Sequence, residues 1–143
     1  MKVLTSLLRV VLLLASNTVW AACTVVVQPV LFGNYDVFDT VDLDSTGLVE
    51  VTCDSVADSY SIALSAGMGS YSQRKMMQGI YALNYNLYTN SGRTTVWGDG
   101  TAGTSVVNGG GLLTSFSLYG RVTAQQSARV GAYSDNLVLT LTF

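Results

Sequence analysis

The sequence has few of the side chains that perform catalysis. None of its 143 residues is a histidine, which excludes Ser-His-Asp and Cys-His nucleophilic mechanisms and the common histidine-containing zinc sites. Its two cysteines, Cys23 and Cys53, are too few for a structural zinc site of four ligands. Glu50 and Asp54 come nearest to the acid pair of a glycosidase, but nothing around them separates a general acid from a base. We therefore predict a protein that is not an enzyme, with no catalytic residue, no metal site and no cofactor.

Two loops and a group of aromatic side chains are the other candidates for ligand binding. Residues 42–47 (DLDSTG) begin like a calcium-binding loop, but the third carboxylate and the distal glutamate are missing, so an acidic hairpin loop is favoured. Residues 98–100 (GDG) lack the Lys-Ser/Thr that follows in a phosphate-binding loop. Four aromatic residues could stack on a sugar, although packing inside the domain is the favoured use; they are Tyr85, Tyr88, Trp97 and Tyr119.

The first 21 residues have the pattern of a secretory signal peptide. Lys2 and Arg9 supply positive charge around the apolar run 10–15 (VVLLLA), and small residues follow, so cleavage is expected after Ala21. The apolar run is shorter than the roughly 20 residues that span a bilayer, and no later run is long enough. We therefore expect an exported domain of residues 22–143, with no membrane span after signal cleavage.

The exported part is acidic and poor in basic residues. Once Lys2 and Arg9 are removed, five basic residues remain beside nine acidic ones. Nucleic-acid binding needs clusters of Lys and Arg for the phosphate contacts, so no nucleic-acid partner is expected. Apolar residues make up 49% of the sequence and charged residues only 11%, which predicts apolar surface that awaits a partner.

Cys23 lies almost directly after the signal and has two interpretations. Lipid attachment requires a Leu-like residue three positions earlier, where this sequence has Trp20. An exported chain meets an oxidising compartment, which favours a disulfide between Cys23 and Cys53. Closing a loop of about 30 residues in this way is worth roughly 3–4 kcal/mol if the effect is chain entropy.

Short alternating runs separated by turn residues predict an all-β domain. The predicted strands are 24–31, 48–53, 59–65, 83–88, 115–119 and 136–143. Pro29 suits an edge strand or a change of sheet, and residues 73–79 (QRKMMQG) are expected to form no more than a short turn. Strands of this kind indicate an antiparallel β-sandwich. The sequence ends at Phe143 inside its most regular strand, where a sandwich normally lays another strand beside it.

The order of motifs resembles the spore coat protein U domain, the subunit domain of archaic, Csu-type chaperone–usher pili. The two most specific motifs are LNYNLYT at 83–89 and VWGDGTAGT at 96–104. The others, in chain order, are CTV at 23–25, FGNY at 32–35, residues 47–53, YSIALSAG at 60–67, RKMM at 74–77, YGRV at 119–122 with Gln125, and GAYSD at 131–135. The resemblance covers essentially all of the chain after the signal, so residues 22–143 are expected to form one such pilin domain.

This resemblance implies an incomplete immunoglobulin-like sandwich that lacks its final strand and is completed by donor-strand complementation. The implied partners are a periplasmic pilus chaperone, an outer-membrane usher and a neighbouring pilus subunit. The protein would pass through the periplasm to the cell surface or an extracellular fibre. We expect the donor-strand groove to be lined by six apolar residues of the first and last strands, namely Val25, Val27, Leu137, Leu139, Leu141 and Phe143.

The sequence departs from the family pattern at the start of the domain. Polymerising subunits carry an apolar donor segment before the first cysteine, whereas cleavage after Ala21 leaves only Ala22 there. The expectation is a subunit that accepts a strand and gives none, at the tip or end of a fibre. A cap or coat component, a gene model truncated at its start, and a secreted carbohydrate- or surface-binding module are the alternatives.

Overall fold

The computed structural model describes residues 22–56 and 59–143. These residues form eight strands and no helix, so the described part of the chain contains no helix able to cross a membrane. The strands are β1 (Cys23–Gln28), β2 (Leu43–Cys53), β3 (Ser59–Leu64), β4 (Arg74–Gln78), β5 (Tyr81–Tyr88), β6 (Val107–Gly110), β7 (Leu113–Val122) and β8 (Leu139–Thr142).

Two antiparallel sheets enclose the core. The larger has the strand order β1-β2-β7-β5-β4 and the smaller has the order β6-β3-β8. Every second residue of the central strands is buried, because successive side chains of a strand point to opposite faces. The inward residues include Val49 and Val51 of the larger sheet and Ile62 and Leu64 of the smaller one. The predicted all-β sandwich is therefore confirmed.

The first strand ends where the sequence places its proline. β1 pairs with β2 from Cys23 to Gln28, and Pro29 follows directly. Proline has no N–H to donate to a ladder, which is the physical reason that the predicted run 24–31 stops early. At the other end of the ladder Cys23 lies opposite Cys53, and the two form the disulfide.

Residues 42–47 do not form the predicted acidic hairpin loop. Except for its first residue, this run belongs to β2, in register with β7. The carboxylate of Asp44 accepts two hydrogen bonds from Arg121, at 2.7 Å from Nε and 2.8 Å from Nη2, and lies 3.1 Å from Arg93. The bond from Arg121 lowers the pKa of Asp44. Because Arg121 on the facing strand and Arg93 in the loop after β5 both pair with Asp44, this acidic run can lie within a sheet.

Residues 73–79 do not form the predicted isolated turn either. Arg74–Gln78 is the edge strand β4, paired with β5 along its length. The alternation of inward and outward residues in β4 is hard to recognise in the sequence, because the first inward residue, Arg74, is charged. Arg74 is fully buried, and burial lowers its pKa.

The guanidinium of Arg74 joins β4 to two loops. It donates to the carbonyl oxygen of Ser65 from Nε at 3.1 Å and from Nη2 at 2.9 Å, and to that of Trp97 at 2.7 Å. A fourth bond runs to Asn86 Oδ1 at 2.7 Å. Trp97 is itself fully buried and donates from Nε1 to the carbonyl of Ile62 at 3.0 Å. These bonds hold the edge of the larger sheet to the loop that follows β3.

Candidate functional site

An apolar groove opens on the inner face of the larger sheet. It is bounded by two segments that are not part of that sheet, residues 29–37 (the first wall) and residues 128–139 (the second wall). The groove encloses about 1180 Å³. Its floor consists of inward side chains of β2, β5 and β7, with the principal contributions from Val49, Leu83, Tyr85, Leu87, Leu118 and Val122.

Two glycines allow the first wall to lie on the sheet. A Cβ added at Gly120 would lie 2.7 Å from side-chain atoms of both Val30 and Phe32, and one added at Gly47 would lie 3.0 Å from Val30. The Phe32 ring also meets the Tyr85 ring edge-on, with 5.9 Å between centroids. Any larger residue at Gly120 would therefore push the first wall away from the floor.

The far end of the first wall is fixed by Tyr35. Its hydroxyl donates to the carbonyl of Thr123 at 2.9 Å and accepts from the Gln126 N–H at 2.7 Å. The side-chain amide of Gln126 in turn exchanges two hydrogen bonds with the backbone of Asn84, both at 2.8 Å. The Gln126 side chain thus makes the two hydrogen bonds to β5 that a residue of a neighbouring strand would make. It thereby fixes the segment that leads from β7 to the second wall.

The second wall is held by Asp135 and its neighbour. One oxygen of Asp135 accepts from the Tyr85 hydroxyl at 2.7 Å, and the other accepts from the Met68 N–H at 3.1 Å. Burial, together with this bond to Asp135, raises the pKa of Tyr85, so the phenol remains protonated as a donor. Ser134 adds two backbone bonds to Met77 of β4, at 2.8 and 3.2 Å.

The smaller sheet has an open edge beside the groove. β8 pairs with β3 on one side, and in the described residues no strand pairs with its other side. No backbone hydrogen bond joins the first wall to residues 128–143 within the part of the chain that the structure describes. Val27 lies opposite fully buried Val49 and therefore faces inward, yet it is 45% exposed. The layer that covers the larger sheet is therefore interrupted between β8 and the first wall, where the groove lies.

Three of the six residues predicted for the groove line it, namely Val27, Leu137 and Leu139. Val25 and Leu141 instead pack against the core, and Phe143 is 61% exposed beyond the end of β8. Sequence reasoning missed the first wall, because Phe32-Gly33-Asn34 has the composition of a turn. The alternation of Val30 and Phe32 with exposed neighbours was the signal that could have revealed it.

The other candidate ligand sites are occupied by packing or remain at the surface. Trp97 is fully buried and Tyr85 nearly so, so neither presents a ring face to a sugar. Glu50 accepts a bond from the Ser115 hydroxyl at 3.4 Å. Within residues 22–56 and 59–143, no three acidic or cysteine side chains gather closely enough to hold a metal ion. The predicted signal peptide, and everything inferred from its cleavage, lies outside the described residues.

A smaller cup adjoins the end of the groove. It encloses about 450 Å³ and shares Val37, Ala128 and Arg129 with the groove lining. We call it the rim cup; its remaining lining residues are Phe38, Tyr81, Gln125, Gln126 and Ser127.

The sequence matches the Spore Coat Protein U domain family over residues 9–140. No curated protein sequence matches it significantly. Among solved structures, it is similar to one chain of the CsuC–CsuE complex of Acinetobacter baumannii, described as a chaperone–tip adhesion subunit pre-assembly complex of archaic chaperone–usher Csu pili. The TM-score is 0.63 at 21% sequence identity, over 88% of this chain and 40% of that one. At this identity the likeness shows the fold.

Proposed function

Since the chain belongs to the Spore Coat Protein U domain family, we propose that it is a non-enzymatic structural subunit of a chaperone–usher pilus or surface fibre. Its groove accepts a β-strand from a partner. A periplasmic chaperone supplies that strand first, and a neighbouring subunit replaces it during assembly at an outer-membrane usher. The mature subunit is exported through the periplasm to the cell surface. The gap between β8 and the first wall is the observation that carries this proposal.

A strand is the occupant that the groove suits best. One side of the gap is the edge of β8 that has no strand partner among the described residues, and its backbone groups need a ladder partner that neither a helix nor a small ligand supplies. The floor below is a continuous apolar surface, which suits the apolar face of an alternating strand. The second layer of the sandwich then runs without interruption from β6 to the first wall.

The energetic gain comes from both the strand and the groove. Each inward apolar side chain of the donor contributes about 1.5–3 kcal/mol when fully buried. The donor also covers Val27, an inward residue that is 45% exposed while the groove is empty. An unoccupied groove should therefore leave the subunit weakly stable and prone to aggregate through the β8 edge.

The test supplies the strand within the same chain. Phe143 of the mature domain is followed by a flexible Gly-Ser linker of about eight residues and a strand of about nine residues in which Val or Ile alternates with Thr. The matched control exchanges the apolar and Thr positions, so composition and β-propensity are kept while the apolar face turns outward.

We expect the first appended strand to raise the urea midpoint of unfolding and to keep the protein monomeric, whereas the control does neither. Hydrogen exchange should show new protection of the β8 amides only in the first protein. Equal midpoints for the two appended strands would contradict the proposal, as would a domain without any appended strand that is equally stable and soluble.

A further inference from the structure

The rim cup differs from the groove in its charge. Apart from Arg129, its lining is apolar, aromatic or neutral and polar. The groove itself also contains Asp36 and Asp135, but neither lines the cup. Both oxygens of Asp135 are engaged by Tyr85 and Met68, and Asp36 accepts a hydrogen bond from the Phe38 N–H at 2.9 Å. A strand that leaves the groove through the cup therefore meets a single cation.

Arg129 has no acidic partner among the described residues. Its side chain is exposed, and its guanidinium lies over the Tyr81 ring, 4.4 Å from the centroid. Arg93 and Arg121 differ from it, since both lie within salt-bridge distance of Asp44. The backbone of Arg129 is held in place, because its N–H donates to the Tyr133 hydroxyl at 2.9 Å.

Stacking on Tyr81 prepares Arg129 for a carboxylate. A guanidinium stacked on an aromatic face keeps its edge free for two parallel hydrogen bonds, and the planar carboxylate matches that edge. The ring also limits the rotamers of the arginine, so less entropy is lost on binding. A lysine or arginine brought to the same position would be repelled.

We propose that Arg129 is a specificity-determining residue of the groove, which selects donor strands carrying an aspartate or glutamate at the end that enters the rim cup. This inference rests on the proposed function, because it presupposes a strand in the groove. It specifies the charge of one side chain of the donor strand. It also specifies the direction in which that strand lies in the groove, because the acidic end must reach the rim cup.

The appended-strand protein allows a direct test. Residues 128–137 lead from the cup to β8, so Phe143 lies at the end of the groove remote from Arg129. A strand that follows Phe143 and folds back antiparallel to β8 reaches the cup with its last residues. Its final position is made Glu, Ser or Lys, and a short Gly-Ser tail keeps the terminal carboxylate away from Arg129. Each strand is combined with native Arg129, with Arg129→Met and with Arg129→Glu.

With native Arg129 we expect the ratio of folded to unfolded protein to be about threefold to fivefold higher for the Glu strand than for the Lys strand at low salt. The preference should vanish in Arg129→Met, reverse in Arg129→Glu and disappear in 1 M NaCl. Equal stability of the Glu and Lys strands with native Arg129 would overturn the inference, as would a preference that survives in Arg129→Met. Failure of the Ser strand to stabilise the domain would count instead against the proposed function.

Discussion

Replacing Arg74 with methionine tests whether a buried cation holds the edge of the larger sheet. Methionine fills a similar length with apolar atoms and removes all four hydrogen bonds of the guanidinium. Asn86 Oδ1 keeps a second donor, the Leu87 N–H at 2.9 Å. The carbonyl oxygens of Ser65 and Trp97 have no other donor among the described residues.

The cost follows from these two carbonyls. A buried acceptor left without a donor costs about 1–3 kcal/mol, which applies in full to the Trp97 carbonyl and only in part to the Ser65 carbonyl, whose bonds to Arg74 are partly buried. Removing the charge also removes the cost of keeping a cation out of water, which offsets part of that loss. We expect Arg74→Met to lower the free energy of unfolding by about 2 kcal/mol, within the range for a buried acceptor that loses its donor.

Urea unfolding followed by the fluorescence of Trp97 measures this loss, since Trp97 is the only tryptophan after residue 21. The matched control is Arg129→Met, which removes an exposed cation stacked on one ring and should cost below about 1 kcal/mol. Arg74→Lys should be intermediate, because one ammonium cannot reach all three acceptors. A loss under about 1 kcal/mol in Arg74→Met, or one no larger than in the control, would refute the reasoning.

Three further predictions concern the sheet and the groove. Replacing Cys23 and Cys53 together by serine should lower the free energy of unfolding by about 3.6 kcal/mol, as loop entropy gives for the separation of 30 residues, and denaturant unfolding would show it. Gly120→Val should displace the first wall, which would cost about 1–3 kcal/mol and weaken the gain from an appended strand; an unchanged gain would contradict the close packing. Asp44 has its pKa lowered by Arg121, so its stabilisation is complete above pH 4 or so and is lost as the pH falls. Asp44→Asn should therefore flatten the acid limb of the stability profile, and an unaltered limb would contradict the assignment.

Period-2 alternation was enough to predict the sandwich and most of its strands. It located the inward residues of β3, β5 and β8, because there the inward positions are apolar and the outward ones polar. It failed at Arg74–Gln78, where an inward arginine conceals the pattern, and at residues 42–47, where Arg121 on the facing strand allows acidic residues inside a sheet. It also missed β6, whose Gly109 and Gly110 have the composition of a turn. The first two failures depend on partners distant in sequence, which local patterns do not contain.

Three of the six residues predicted for a donor-strand groove line the observed groove, and its two walls were not predicted. An uncovered last strand next to the first strand pointed to Val27, Leu137 and Leu139. The walls could not be predicted, because they are irregular segments whose positions are fixed by single long-range bonds such as that between Tyr85 and Asp135. The rim cup depends on three separate parts of the chain and leaves no local signature in the sequence.

The pairing of β2 with β7 has a consequence for the time course of folding. This longest ladder joins positions roughly 60 to 80 residues apart, from Thr52 opposite Leu113 to Leu43 opposite Val122. Domains dominated by such distant pairings fold on the scale of about milliseconds to seconds. During that interval the apolar strands lack neighbours, and their edges can pair with other chains. A partner that offers a strand would therefore act on the nascent subunit as well as on the finished one, by shortening the period in which misassembly competes with folding.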